Sequence, residues 1–196
     1  MNNYYLINKP YGMLSQFIPE GGHRALCDFG FDFPKDVYPV GRLDHDSEGL
    51  LLITNDNKLK NHLLDPKFKQ PKTYWAQVEG EITDEALRVL KKGVEIKHKG
   101  KVHKTAPCDG KLLGEIDLPE RDPPIRYRKS IPTSWVELTI TEGKNRQVRK
   151  MTAAVGFPTL RLIRVSIGDL TSQLLENAEI RTFGQKEIYG ILNFRS

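Results

Sequence analysis

Between Val40 and Asp56 the chain reads VGRLDHDSEGLLLITND, and this stretch limits the folds open to it more than any other. Arg42, Asp44, His45, Asp46, Ser47 and Glu48 crowd together, and then Leu50 to Ile53 are apolar without a break. A short apolar run bounded by Gly49 and by Asn55-Asp56 predicts a buried strand. The charged cluster then stands at the mouth of a buried element, where a scaffold holds side chains still. Such a loop is either solvated or chemical, and its own residues do not decide between the two.

The remaining pattern predicts the elements around that strand. Tyr4, Leu6 and Ile7 predict a strand leading into Asn8-Lys9-Pro10, where Pro10 and Gly12 turn the chain. Residues 15–36 are rich in Gly, Pro, Phe and acids without a period, which predicts an irregular connection with one helical turn and no chemistry. Asp56 or Asn57 caps a helix with Leu59, Leu63 and Leu64 on one side, and Pro66 stops it. Lys58, Lys60, Lys67, Lys69 and Lys72 gather near one end of that helix, as a solvated face or as a phosphate-contacting surface. Lys72 to Val78 reads as a strand with Tyr74, Ala76 and Val78 on one face. Thr83 caps a helix that closes at Lys91-Lys92-Gly93, and short strands follow at 94–96 and 102–106.

Residues 114–132 are dense in proline and charge, and adjacent prolines at 123 and 124 make this a long loop. Ser134 to Thr141 alternates as a strand with Val136, Leu138 and Ile140 inward. A helix begun at Lys144 places Val148, Met151 and Val155 on one stripe and Arg146, Arg149 and Lys150 on another, and Gly156 with Pro158 ends it. Leu160 to Ile167 then alternates with Ile163, Val165 and Ile167 on one face, and Thr182 caps a last helix over Lys186 to Leu192. Strands outnumber helices without regular alternation, which predicts an α+β domain with a mainly antiparallel mixed sheet.

With 196 residues the chain forms one large domain or two small intimate lobes. A net charge of +5 fits a nucleic-acid partner without requiring one. Cys27 and Cys108 are too few to staple a fold and read as small buried side chains in a reducing compartment. No basic region followed by a long apolar stretch occurs, so a soluble cytoplasmic protein without a membrane span is expected. His98, His103 and Cys108 match no usual zinc spacing, and Lys97, Lys99, Lys101 and Lys104 repel a cation. Asp44, Asp46 and Glu48 alternate onto one face of an extended stretch, which keeps a magnesium-dependent nuclease or phosphotransferase as a second reading.

GRLD followed by a hydroxyl residue, Gly, an apolar run and TND resembles the active-site motif of the pseudouridine synthases, in the branch that modifies ribosomal RNA. NKPYG at Asn8 to Gly12, KTY at Lys72 to Tyr74 and EGKNRQVRKM at Glu142 to Met151 are similar to further segments of that family, in the same order. The likeness continues through GFPTLRLIRVSIG to Gly168, and RDPPIRYRKSIPTSW at Arg121 to Trp135 resembles the large-subunit members.

The resemblance implies the pseudouridine synthase fold, a sheet in two lobes with a central active-site cleft, and a single catalytic domain over 1–196 without the small N-terminal RNA-binding module of many relatives. It implies isomerisation of a flipped-out uridine in ribosomal RNA, 23S in the first instance, with Asp44 as the nucleophile and no cofactor or metal. Tyr74 would pack against the base and Arg149 would pair with the carboxylate, a strong and directional contact. Arg42, Lys144, Asn145, Arg146, Gln147 and Lys150 would meet RNA, and Arg126, Arg128 and Lys129 would clamp it from the proline-rich loop. A monomer is expected, since no heptad pattern stands out. A synthase acting on transfer RNA, or an idle RNA-binding or assembly protein of the same fold, are the alternatives.

Overall fold

The computed structural model describes residues 1–125, 128, 130–175 and 179–195. Arg126 and Lys129 of the expected clamp lie outside the described residues. The chain divides into two compact units, Met1–Gln70 with Arg164–Ser196, and Pro71–Ile163.

The first unit is built on β1 (Tyr4–Lys9) and β3 (Glu48–Thr54), paired antiparallel from Tyr4 opposite Thr54 to Lys9 opposite Gly49. The two-residue strand β2 (Tyr38–Pro39) also pairs with β3. β3 is buried at every position because both faces of the sheet are covered. Leu50 and Leu52 join Tyr4 and Leu6 on one face, under Leu59 and Leu63 of α1 (Asn57–Leu64). Leu51 and Ile53 join Tyr5 and Ile7 on the other, under Met13, Leu26 and Val37. The irregular segment 15–36 is thus a lid of aromatic side chains: Phe17, Phe29 and Phe33 pack on that second face, with one short helical turn at Leu26–Asp28.

Asp56 caps α1 by accepting the Leu59 N–H at 3.1 Å, and its other oxygen accepts the Tyr4 and Tyr189 hydroxyls at 2.7 and 2.6 Å. Burial opposes ionisation of this carboxyl, but bonds from Tyr189, Leu59 N–H and Tyr4 outweigh it and hold the group below its ordinary range. Asp56→Ala removes the cap and both acceptor bonds, leaving the buried Tyr4 hydroxyl unanswered. A loss of about 3–4 kcal/mol in urea denaturation is expected.

The second unit carries β4 (Lys72–Glu79), β7 (Asp109–Leu113) and β8 (Thr133–Ile140) in the antiparallel order β4-β8-β7, with Tyr74 opposite Leu138. A separate hairpin pairs β5 (Glu95–His98) with β6 (Lys101–Lys104). α2 (Asp84–Lys92) has the expected Thr83 cap, and its Leu87 and Leu90 join Ala76, Val78, Val136 and Leu138 in one core. α3 (Gln147–Ala154) adds Val148 and Met151 to that core. β9 (Thr159–Ile167) passes from the second unit to the first at Ile163–Arg164 and returns as β10 (Leu170–Thr171). Near the C-terminus, β11 (Ile180–Phe183) pairs with β1 and precedes α4 (Gln185–Ile191). The protein is therefore α+β with a mainly antiparallel sheet.

Several expectations need correction. β7 falls inside a segment with no predicted strand; its Gly110 lets the chain run against Glu137 O, where an added Cβ would sit at 2.6 Å. Thr182 is not a cap but a β11 residue opposite Tyr5, and Gly184 occupies the cap position. The helix expected from Lys144 begins at Gln147, because Arg146 adopts a left-handed conformation at φ 53° and turns the chain there. In β9, Ile163 and Val165 are half-buried, whereas Arg161 and Arg164 are buried. Each arginine donates to a backbone carbonyl, Pro119 O at 2.9 Å and Leu50 O at 2.8 Å, so burial does not follow hydropathy. Leu64 and Cys27 are exposed.

Candidate active site

Within the first unit, residues 41–47 leave β2 and enter β3 as a loop tied down on several sides. Val40 N–H donates to Leu52 O at 2.7 Å, and Ser47 N–H closes a turn onto Asp44 O at 3.0 Å. The buried Ser15 hydroxyl accepts Leu43 N–H at 3.0 Å and donates to Leu43 O at 2.9 Å, pinning the residue before Asp44. Gly12 N–H donates to His45 O at 2.7 Å, so the turn after β1 holds the residue after Asp44. The His23 ring lies on that of His45, with centroids 4.6 Å apart. Asp44 is half-buried and Arg42 is exposed. Segment 15–36, expected to carry no chemistry, thus supplies two of the supports of the charged loop, Ser15 and His23, and no local pattern marks Ser15 for that part.

Lys9 lies beneath the same loop, fully buried, with its ammonium donating to Met13 O at 2.6 Å and Pro10 O at 3.0 Å. Burial pushes it down to about 8, against the pull of Glu48, Asp46 and Asp44, while Arg164 adds to the push. The folded value lies below the unfolded one, so the charged form is penalised below pH 8 and the penalty lifts as pH rises from there. Stability from this group therefore increases between about pH 8 and 10.5 in denaturant melts, and Lys9→Met is expected to remove that increase.

Gly49, the second residue of β3, has φ at +104°. A Cβ there would lie 2.3 Å from Arg164 O and 2.7 Å from Arg164 N. Two backbones meet at this point, and only glycine allows it.

In the second unit, Tyr74 is half-buried on β4 and packs against the core of that unit. Arg149 projects from α3, whose Val148 and Met151 are anchored, and its Nη1 donates to Thr159 O at 3.3 Å. Thr152 and Thr159 hydroxyls bond at 2.7 Å beside it, so α3 and the start of β9 are fastened together.

The loop 142–146 is organised by Glu142. One oxygen accepts Ala106 N–H at 2.8 Å and Gln147 Nε2 at 2.7 Å, and the other meets His103 Nε2 at 3.2 Å. Burial opposes ionisation here too, but the bonds from Ala106, Gln147 and His103 bring the carboxyl below its ordinary range. Gln147 Oε1 in turn accepts Lys144 N–H at 2.9 Å. Gln147, expected to face RNA, is 3% exposed with its amide committed within the loop, so it shapes the loop that presents Lys144, Asn145 and Arg146. Asn145 is exposed, and Lys144, Arg146 and Lys150 are half-buried. Arg128 is exposed and approaches Glu79 at 3.8 Å. Among the described residues no group of three or more His, Cys, Asp or Glu side chains is arranged to hold a metal, and Asp44, Asp46 and Glu48 make no such cluster.

Residues 3–154 match the family model of RNA pseudouridylate synthase, which takes in Asp44, Tyr74 and Arg149. The chain belongs to the RNA pseudouridylate synthase family. Among its relatives, ribosomal large subunit pseudouridine synthase E of Xanthomonas axonopodis pv. citri is 54% identical over 84% of this chain and 85% of that protein. Ribosomal large subunit pseudouridine synthase B of Bacillus subtilis is 37% identical over 94% of this chain and 69% of that one. A crystal structure of a pseudouridylate synthase superposes with a TM-score of 0.77 at 27% identity, covering 97% of this chain and 74% of the other. The expected family and fold are thereby established, and the chain is an RNA-modifying isomerase. No helix among the described residues is long and apolar enough to cross a membrane.

Proposed function

We propose that this synthase isomerises a specific uridine to pseudouridine in large-subunit ribosomal RNA, 23S in bacteria, with Asp44 as the nucleophile. The observation that carries the reading is Asp44 itself: a half-buried carboxylate in the GRLD sequence, on a loop whose flanking residues Leu43 and His45 are both held through their backbones. A fixed carboxylate suits a reaction that must aim one oxygen at one carbon.

The isomerisation breaks the bond from uracil N1 to ribose C1′, turns the base and joins C5 to C1′. C5 loses a proton and N1 gains one, so no electrons leave and no co-reactant is consumed. A carboxylate that forms a covalent intermediate divides this into easier steps. The uridine must first leave its stack, at a cost of roughly a few kcal/mol that protein contacts offset. Tyr74 is the proposed aromatic partner of the base and Arg149 the proposed cation for the carboxylate. The tie from Arg149 to Thr159 O and the packing of Tyr74 support fixed positions for both. Arg42, Lys144, Asn145, Arg146 and Lys150, with Arg126, Arg128 and Lys129 of the proline-rich loop, are the proposed RNA contacts, and Gln147 supports them from within. The two units serve one catalytic domain, acting as a monomer in the cytoplasm.

The test is incubation of the purified protein with an unmodified large-subunit transcript in the presence of EDTA, followed by nucleoside chromatography. Pseudouridine formation that survives the chelator is expected. Turnover that stops with the chelator and returns with Mg²⁺ would instead support a metal-dependent reaction.

A further inference from the structure

Next to the loop that carries Asp44, the first unit exposes a surface that combines apolar and cationic side chains. α1 ends at Leu64, 45% exposed, and the following turn Pro66–Phe68 presents Phe68, 43% exposed. A Cβ on Gly41 would lie 3.1 Å from Leu64 Cδ2, so Leu64 borders the residue immediately before Arg42. This surface is therefore continuous with the candidate catalytic loop.

Its charge is one-sided. Between Asn57 and Gln70 stand four lysines against one acid, Asp65. Lys58, Lys67 and Lys69 are exposed, and Lys60 lies one turn before Leu64 on α1. Lys67 reaches Asp65 at 3.0 Å and lies 4.7 Å over the Phe68 ring, two solvent-exposed contacts that release the ammonium readily. The Phe68 ring is braced by His62, with centroids 4.3 Å apart. His62 packs in turn on Phe194 at 4.8 Å and bonds Gln70 at 2.8 Å. Lys69 holds a left-handed backbone at φ 46°, uncommon outside glycine. A braced, exposed aromatic ring between two lysines is the combination that receives an unpaired base and its phosphates. Lysine is depleted in protein–protein interfaces, and the surplus of positive charge matches a polyanion.

We propose that Phe68 with Lys67 and Lys69 forms a subsite for a single-stranded nucleotide flanking the target uridine. The base stacks on Phe68, and Lys67 leaves the ring to hold a phosphate together with Lys69. This rests on the RNA-modifying reading above and adds to it a place for nucleotides outside the reaction pocket. A duplex does not fit this role, since its bases have no free faces.

The test uses the full chain and the unmodified large-subunit transcript. Phe68→Leu keeps an apolar contact for His62 but removes the stacking face; it is expected to raise KM about tenfold, with the loss on KM rather than kcat. Phe68→Trp is expected to restore the wild-type KM. Lys67→Gln with Lys69→Gln is expected to flatten the dependence of log KM on log salt by about 0.7 per lysine. Unchanged KM and salt slope in these variants, with the wild type turning over, would overturn the subsite and leave the reaction standing. Failure of the wild type to convert the transcript would overturn the reaction. The subsite would then be read from binding of oligouridylate by the same variants, and equal affinities would overturn it. Tighter capture of an acidic protein than of oligouridylate would likewise overturn it in favour of a protein partner.

Discussion

Asp44→Asn is expected to lower turnover by about 10⁴-fold or more while leaving affinity for the transcript within about twofold of wild type. The substitution keeps the shape of the side chain and removes the nucleophilic oxygen pair. The substitution leaves intact the backbone anchors at Leu43, Asp44 and His45 and the Ser15 hydroxyl, so the loop is expected to hold its place. Single-turnover kinetics with a filter-binding titration separate the two effects. Ser15→Ala provides the contrast: it leaves the carboxylate in place but unpins Leu43, so a smaller loss of turnover is expected together with a loss of stability. Residual activity of Asp44→Asn near the wild-type rate would remove Asp44 from the chemistry altogether.

Gly49→Ala carries the largest expected effect on folding. Its Cβ would lie 2.3 Å from a backbone oxygen, and neither backbone can retreat without disturbing β3 or β9. The +104° φ adds strain for any L side chain. A loss of about 4 kcal/mol or more is expected, read as a fall in the urea midpoint at unchanged slope. Gly143→Ala is the control, because nothing lies within 4 Å of the added Cβ and its backbone is not in the positive-φ region. It should change stability by no more than about 0.5 kcal/mol.

Legibility in the sequence followed the range of the interactions. α1 is readable because its cap and its stop, Asp56 and Pro66, lie within the segment. α2 is readable for the same reason, from Thr83 to Gly93. β7 and β11 are not, because DGKLL and IRTF become strands through partners far along the chain, β8 and β1. The buried arginines of β9 are hidden from any hydropathy pattern, since a carbonyl more than a hundred residues away, Leu50 O, answers Arg164. The proposed chemical residues Asp44, Tyr74 and Arg149 stand out only as members of ordered motifs. Their supports do not stand out at all: Ser15 sits in an irregular stretch, and nothing in NKPYG marks Lys9 as a buried ammonium under an acidic loop. Glu142 reads as one more charge before a glycine, yet it fastens the cationic loop to Ala106 and His103. Side chains that hold a site in place are selected by tertiary neighbours, and local sequence carries no record of them.

Asp44 of this chain is proposed to make pseudouridine at a defined place in large-subunit ribosomal RNA. Pseudouridine mapping of total ribosomal RNA from cells lacking the protein, complemented with wild type or with Asp44→Asn, tests it most directly. One missing modification in the large-subunit RNA, restored by wild type and not by the variant, is expected. An unchanged ribosomal RNA map, or restoration by Asp44→Asn, would contradict it.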